Sequence, residues 1–276
     1  MNGELSQLVA LASAANGVLA GCFDPASLYP SHGDFKFCNT VRFVDVKRGF
    51  FGRHREVERN KDPNEWLKSL AERGADRAWL TYASIDEGRD HRLSAFVGGG
   101  GERQMLVSFP NSTEFWMPRW EVTGHGAPDR RIWGVTYLCV GRSNGRVSVP
   151  DADLKGAGSR LLSALKGTQE FAAKHDLRYW ADWFQRAANC LDYSNPVTFP
   201  NYIDFVCLNS YPERAQRLFA AAYNGWGFGG MGSWNDLCFE VDAEKERYYQ
   251  VSAELYLAIN DAIQQGTRSF GVKDAT

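Results

Sequence analysis

The sequence predicts an α+β fold, with a mostly antiparallel sheet in residues 1–150 and a helical part in residues 151–276. Three observations carry this expectation. Residues 77–140 hold a succession of short extended segments with tight connections; residues 153–266 carry apolar side chains at helical spacing; a polar break rich in Gly and Pro, 144–150, separates them. With 276 residues, 44% of them hydrophobic, the chain can bury a sizeable core, either as two domains or as two layers of one.

Residues 4–15 place Leu5, Leu8, Val9 and Ala12 on one helical face and run into Asn16-Gly17, a helix stop. Residues 23–34 read as loop. Residues 35–46 alternate as a strand, with Phe35, Phe37, Val41 and Phe43 on one side. The next stretch, 47–61, is locally basic with Phe50 and Phe51 interleaved, which reads as a solvated hairpin or loop, or else as a phosphate-binding or RNA-binding loop. Asp62-Pro63-Asn64-Glu65 is a helix start with the elements of a capping box, and Gly74 ends that helix.

Extended segments are expected at 77–85, 93–97, 104–109, 114–122 and 132–140, with Gly98-Gly99-Gly100-Gly101 as a hairpin turn. Helical patterns follow at 153–174, 177–191 and 210–223. Residues 237–241 read as extended, and the last helix is expected to be capped by Asp242 and ended by Gly266.

Between two of these helices lies Gly225-Trp226-Gly227-Phe228-Gly229-Gly230-Met231-Gly232-Ser233-Trp234-Asn235-Asp236. Its five glycines permit close backbone approach, its three aromatics bury area, and Ser233, Asn235 and Asp236 offer polar groups beside them. Gly227-x-Gly229-x-x-Gly232 has dinucleotide spacing but follows a helix rather than a strand, the wrong order for a pyrophosphate site. A glycine-permitted crossing packed into the core is the plain alternative.

Net charge of −2 gives no general pull towards nucleic acid or anionic membrane, and neither partner is expected. The six cysteines form no C-x-x-C pair and the five histidines no metal spacing, so no metal or other cofactor is expected. Free thiols in apolar segments suit a cytoplasmic location. Leu19-Ala20-Gly21-Cys22 matches the pattern at which bacterial lipoproteins are cleaved and lipidated, yet the stretch before it lacks a basic region and a continuous apolar run.

The candidate ligand-binding residues are Ser233, Trp234, Asn235 and Asp236, together with Asp182, a carboxylate flanked by Trp180 and Trp183. His175-Asp176 could supply a base and its orienting carboxylate, although adjacent helical residues face apart. No nucleophile elbow or Walker loop occurs, and no catalytic residue is assigned.

Tyr211-Pro212-Glu213, Leu218-Phe219-Ala220-Ala221-Ala222, the run from Phe228 to Asp236, and Val251-Ser252-Ala253-Glu254-Leu255-Tyr256 resemble the C-terminal part of a group of uncharacterised bacterial proteins, most specifically in Gly-Gly-Met-Gly-Ser-Trp-Asn-Asp. That resemblance implies a bacterial source and no particular activity or ligand. Two functions stay open at this point. One is a non-catalytic protein-interaction protein of immunity or accessory type; the other is a small-molecule binder or enzyme with a pocket between the sheet and the C-terminal helices.

Overall fold

A computed structural model describes residues 1–48, 54–84 and 90–273. Among them, six strands form one sheet: β1 (Cys38–Arg48), β2 (His54–Asn60), β3 (Arg77–Ser84), β4 (Glu102–Phe109), β5 (Ser112–Val122) and β6 (Trp133–Asn144). Their order is β2-β1-β6-β5-β4-β3, and every neighbouring pair is antiparallel except β1 with β6. Helices α4 (Leu154–Lys174), α5 (Arg178–Asn189), α6 (Glu213–Gly225) and α7 (Asp242–Arg268) fill the C-terminal part, so the α+β expectation holds.

Two earlier helices sit on the sheet. α2 (Pro63–Glu72) starts where the capping residues predict, with Asp62 Oδ1 accepting from Glu65 N at 2.8 Å. It lays Trp66 flat on Phe43 of β1, ring centroids 4.6 Å apart, with Trp116 edge-on at 5.9 Å. α1 (Gly3–Leu19) runs past the predicted stop, because Asn16 does not end it but reaches sideways to β3. The Asn16 amide donates to Ala78 O at 2.7 Å and accepts from Ala78 N at 2.8 Å, as a neighbouring strand would. Further along the same edge, Leu80 N donates to Thr267 Oγ1 of α7 at 3.2 Å. The outer edge of β3 is thereby closed by two helices rather than left open for pairing with another chain.

A continuous hydrophobic core draws on both halves, from Leu5, Leu8 and Leu11 of α1 through Phe43 and Trp116 of the sheet to Leu255, Ile259 and Ile263 of α7. α1 is buried along most of its length. Loss of this helix would strip the core of Leu5, Leu8 and Leu11. No helix among the described residues is long and apolar enough to cross a membrane.

Several local expectations are corrected. Residues 93–97 form no strand: α3 (Asp90–Leu93) is a single helical turn, and Phe96 N donates back to Leu93 O. Gly98, Gly100 and Gly101 then take φ of +74°, +85° and +89°, curling the chain into β4 instead of making a hairpin. Phe35 lies in a short 3-10 turn before β1, and Phe37 is exposed. Leu237 is extended, but residues 237–241 join no strand. Asp242 opens α7 without capping it, and Gly266 lies inside the last turns, packed against the Phe219 ring, while the helix continues to Arg268. Helix α6 begins at Glu213, after a 3-10 turn at Leu208–Ser210. The basic 47–61 stretch is largely the β1–β2 hairpin, with Phe50 and Phe51 outside the described residues. Its Arg59 is turned inward to Asp45 and Glu114.

Candidate functional site

The glycine stretch crosses the helical layer as a closed loop. Trp234 N donates to Gly227 O at 3.0 Å, and a side chain at Gly227 would begin 3.1 Å from Trp234 Cβ, so the glycine lets the two sides of the loop approach closely. Trp226, Phe228 and Trp234 are all buried. Trp234 meets Phe184 edge-on at 5.0 Å, donates its indole N–H to Ser252 Oγ at 2.7 Å, and its carbonyl accepts from the Tyr248 hydroxyl at 2.5 Å. It is anchored into the core rather than presented to a ligand.

The polar residues beside it separate. Ser233 Oγ accepts from Asn235 N at 3.2 Å and Ser233 N donates to Asp236 Oδ2 at 3.2 Å, a capping box around the 3-10 turn Trp234–Asp236. Both side chains are engaged by the backbone, and Asp236 is otherwise exposed. Asp182 faces solvent on α5, while Trp180 of the same helix packs on Trp234 at 5.6 Å. His175 packs on Phe171 at 4.4 Å, and Asp176 takes φ of +57° in the link to α5. The structure thus brings Ser233 and Asp236 together and leaves Asp182 apart.

Asn235 turns the other way. Its Nδ2 donates to His91 O at 3.0 Å, tying the glycine loop to α3. Asn235 Oδ1 and His91 Nε2 are both buried without a hydrogen-bond partner. Burial, followed by the charge of Arg92, pushes the His91 imidazolium down to about 4, so the ring is neutral near pH 7. A neutral imidazole and an amide carbonyl leave unmet hydrogen-bonding capacity where the two segments meet.

From Phe228 a chain of contacts leads to the sheet. Phe228 meets Tyr256 of α7 edge-on at 5.2 Å. The Tyr256 hydroxyl donates to Gly100 O and accepts from Arg103 Nη2, each at 2.5 Å. Arg103, buried at the start of β4, lies 3.8 Å from the Glu4 carboxylate. Burial raises the Glu4 carboxyl, against the lowering influence of Arg103 and of the Gly98 N–H. Glu4 lines a cavity of about 200 Å³ with Asn2, Ser94, Phe96, Trp120 and Trp133. The two indoles meet at 5.9 Å, and Trp120 Nε1 is buried without an acceptor. Five surface cavities include this one, and none of the five is lined by Asp182, Ser233, Trp234, Asn235 or Asp236.

Sequence reading missed these residues because nothing in spacing joins positions 4, 96, 103, 120 and 256. The one available signal was Glu4 in the first turn of a helix, which the helix dipole alone explains.

One buried cluster has the residue types of a hydrolase without the geometry. Ser6 Oγ donates to Asp34 Oδ1 at 2.5 Å, so the carboxylate, not an imidazole, receives the hydroxyl proton. His32 Nδ1 accepts from Asp34 N at 3.3 Å, and His32 Nε2 bonds to Asp204 O at 2.7 Å. The histidine is committed to the backbone on both nitrogens and is not the base for Ser6. Among the described residues, no group of three or more His, Cys, Asp or Glu side chains could hold a metal ion.

The fold and this surface define an α+β protein with a continuous core and a tryptophan-lined cavity at the start of α1. Comparison with family models, curated proteins and solved structures gives no match.

Proposed function

We propose that the chain acts by binding another protein, as a non-catalytic interaction protein of accessory or immunity type. The observation that carries this reading is the exposed apolar segment that begins at the last residue of α3. Leu93, Phe96 and Val97 are 52%, 66% and 48% exposed, and Met231 of the glycine loop is fully exposed. The Asn235–His91 hydrogen bond holds the two segments together, and Phe96 and Val97 form one wall of the cavity with Trp120 and Trp133. Exposed aliphatic and aromatic side chains around a small pocket are the anatomy of a protein-binding surface, where a few anchors supply most of the affinity.

The commitment of Ser233, Asp236, His32 and Asp34 to internal hydrogen bonds supports a binding role over turnover. The test is native mass spectrometry of the protein purified from its own host, with Phe96→Asp beside it. The expected result is a co-purifying polypeptide that Phe96→Asp loses while keeping the parent's circular dichroism. A bound small molecule in place of a polypeptide, or a polypeptide retained by Phe96→Asp, would overturn this assignment of partner or surface.

A further inference from the structure

The end of α1 carries a second chemistry. Gly21, at φ +71°, turns the chain back after the helix, so that Cys22 N donates to Gly17 O at 2.9 Å and the Cys22 side chain stays exposed. Gly17 is also the floor beneath Cys207: a side chain there would begin 2.6 Å from Cys207 Sγ. Cys207 takes φ of +54°, uncommon outside glycine, and its carbonyl accepts from Ser210 N at 2.9 Å. Ser210 Oγ in turn lies 3.7 Å from Cys22 Sγ. The two cysteines are therefore bracketed between Gly17 and Ser210 and line one cavity of about 640 Å³.

The remaining cysteines are placed differently. Cys38, Cys139 and Cys190 are buried, and Cys238 Sγ, though exposed, bonds to Asp236 O. Burial, reinforced by the neighbouring Cys22 thiol, pushes the Cys207 thiol up to about 12, so it is protonated near pH 7 and the exposed Cys22 is the entering nucleophile.

We propose that Cys22 and Cys207 are a thiol–disulfide modification site, joined as an intrachain disulfide by a low-molecular-weight disulfide such as glutathione disulfide. The Cys22 thiolate attacks one sulfur of that disulfide; the reagent's S–S bond breaks, a mixed disulfide forms on Cys22, and one glutathione thiolate leaves. Cys207 then gives its proton to solvent and attacks Cys22 Sγ, expelling the second glutathione thiolate. The protein loses two electrons and two protons, and the reagent gains them as two thiols. The new bond staples the end of the core helix α1 to the turn that precedes α6.

The test uses the full chain, incubated with glutathione disulfide, quenched with N-ethylmaleimide and digested for mass spectrometry. The expected result is a linked peptide containing Cys22 and Cys207, two fewer alkylated thiols than the reduced protein, and a urea midpoint that falls when a reductant is added. Cys207→Ser should hold glutathione on Cys22, and Cys22→Ser should leave Cys207 alkylatable. The proposal is overturned if wild-type Cys207 remains alkylatable, either with Cys22 unmodified or with Cys22 held as a mixed disulfide. That reading comes from the wild-type protein alone and does not depend on how either serine variant folds.

Discussion

Tyr256 and Gly100 meet in a 2.5 Å hydrogen bond whose phenol oxygen also accepts from Arg103, so one hydroxyl joins α7, the glycine-rich entry to β4, and a buried cation. Removing that hydroxyl leaves a carbonyl and a guanidinium N–H short of a partner in the core. Tyr256→Phe should therefore lower unfolding stability by about 1–3 kcal/mol in urea titration. An unchanged midpoint would mean that the knot is not load-sharing between the layers.

Glu114 is 1% exposed and sits among three arginines: Arg59 Nη1 reaches both of its oxygens at 3.0 and 2.9 Å, Arg142 Nε reaches it at 3.1 Å, and Arg73 closes the set. Breaking a buried pair leaves its partners uncompensated. Glu114→Gln is expected to cost about 3–5 kcal/mol, whereas Glu56→Gln, in an exposed pair with Arg119, should cost less than about 1 kcal/mol. Chemical denaturation of the two variants side by side checks the contrast.

His91 gives the fold a pH dependence of defined sign. Its imidazolium is pushed down to about 4 in the folded chain against an ordinary value of 6.5. Between these values the unfolded chain binds a proton that the folded chain refuses. This contribution to stability is complete above pH 6.5 and is lost as pH falls towards 4, by at most about 1.4 kcal/mol per pH unit. Stability profiles of the parent and His91→Leu should converge in slope above pH 7 and diverge below 6.5. Parallel profiles across that window would show that the ring titrates as it does in the unfolded chain.

Trp234 and Asp236 are neighbours with opposite roles in the glycine loop. Trp234→Ala empties a site enclosed by Phe184, Trp180 and Tyr248, and should cost about 3–5 kcal/mol. Asp236→Asn weakens one side of a capping box on an exposed turn, and should cost less than about 1 kcal/mol while leaving partner binding intact. Thermal melts measure the first effect, and the partner-capture assay checks the second.

The class of fold was legible because it depends on patterns that local chemistry enforces. Asp62-Pro63 with Glu65 specifies the start of α2 whatever surrounds it, and the apolar stripe of α7 is long enough to survive an error at each end. The stretch 93–97 misled because Leu93, Ala95 and Val97 alternate as a strand does, while β4 beyond the left-handed glycines takes β3 and β5 as its partners and leaves this segment unpaired in the sheet. Those same exposed side chains became the proposed docking surface, so the misread segment and the functional one coincide. The glycine loop was legible as a buried crossing. Its polar residues were not, since a capping box and a ligand-binding pair use the same residue types, and only the backbone tells them apart. The links from Tyr256 to Arg103 and on to Glu4 span nearly the whole chain and leave no periodic trace.

The parallel pairing of β1 with β6 carries a consequence for assembly on the ribosome. β3 to β6 follow one another as antiparallel neighbours, and each can join the last as it emerges. β1 and its hairpin partner β2 are synthesised first, yet Val41 of β1 stands opposite Val135 of β6. The earliest strand must therefore wait for the latest, with the entropy of a long closed loop set against that final contact. Until then α1 and the β1–β2 hairpin have no completed sheet to lie on, and their apolar faces, Phe43 among them, are the surface that a nascent-chain chaperone would have to shield.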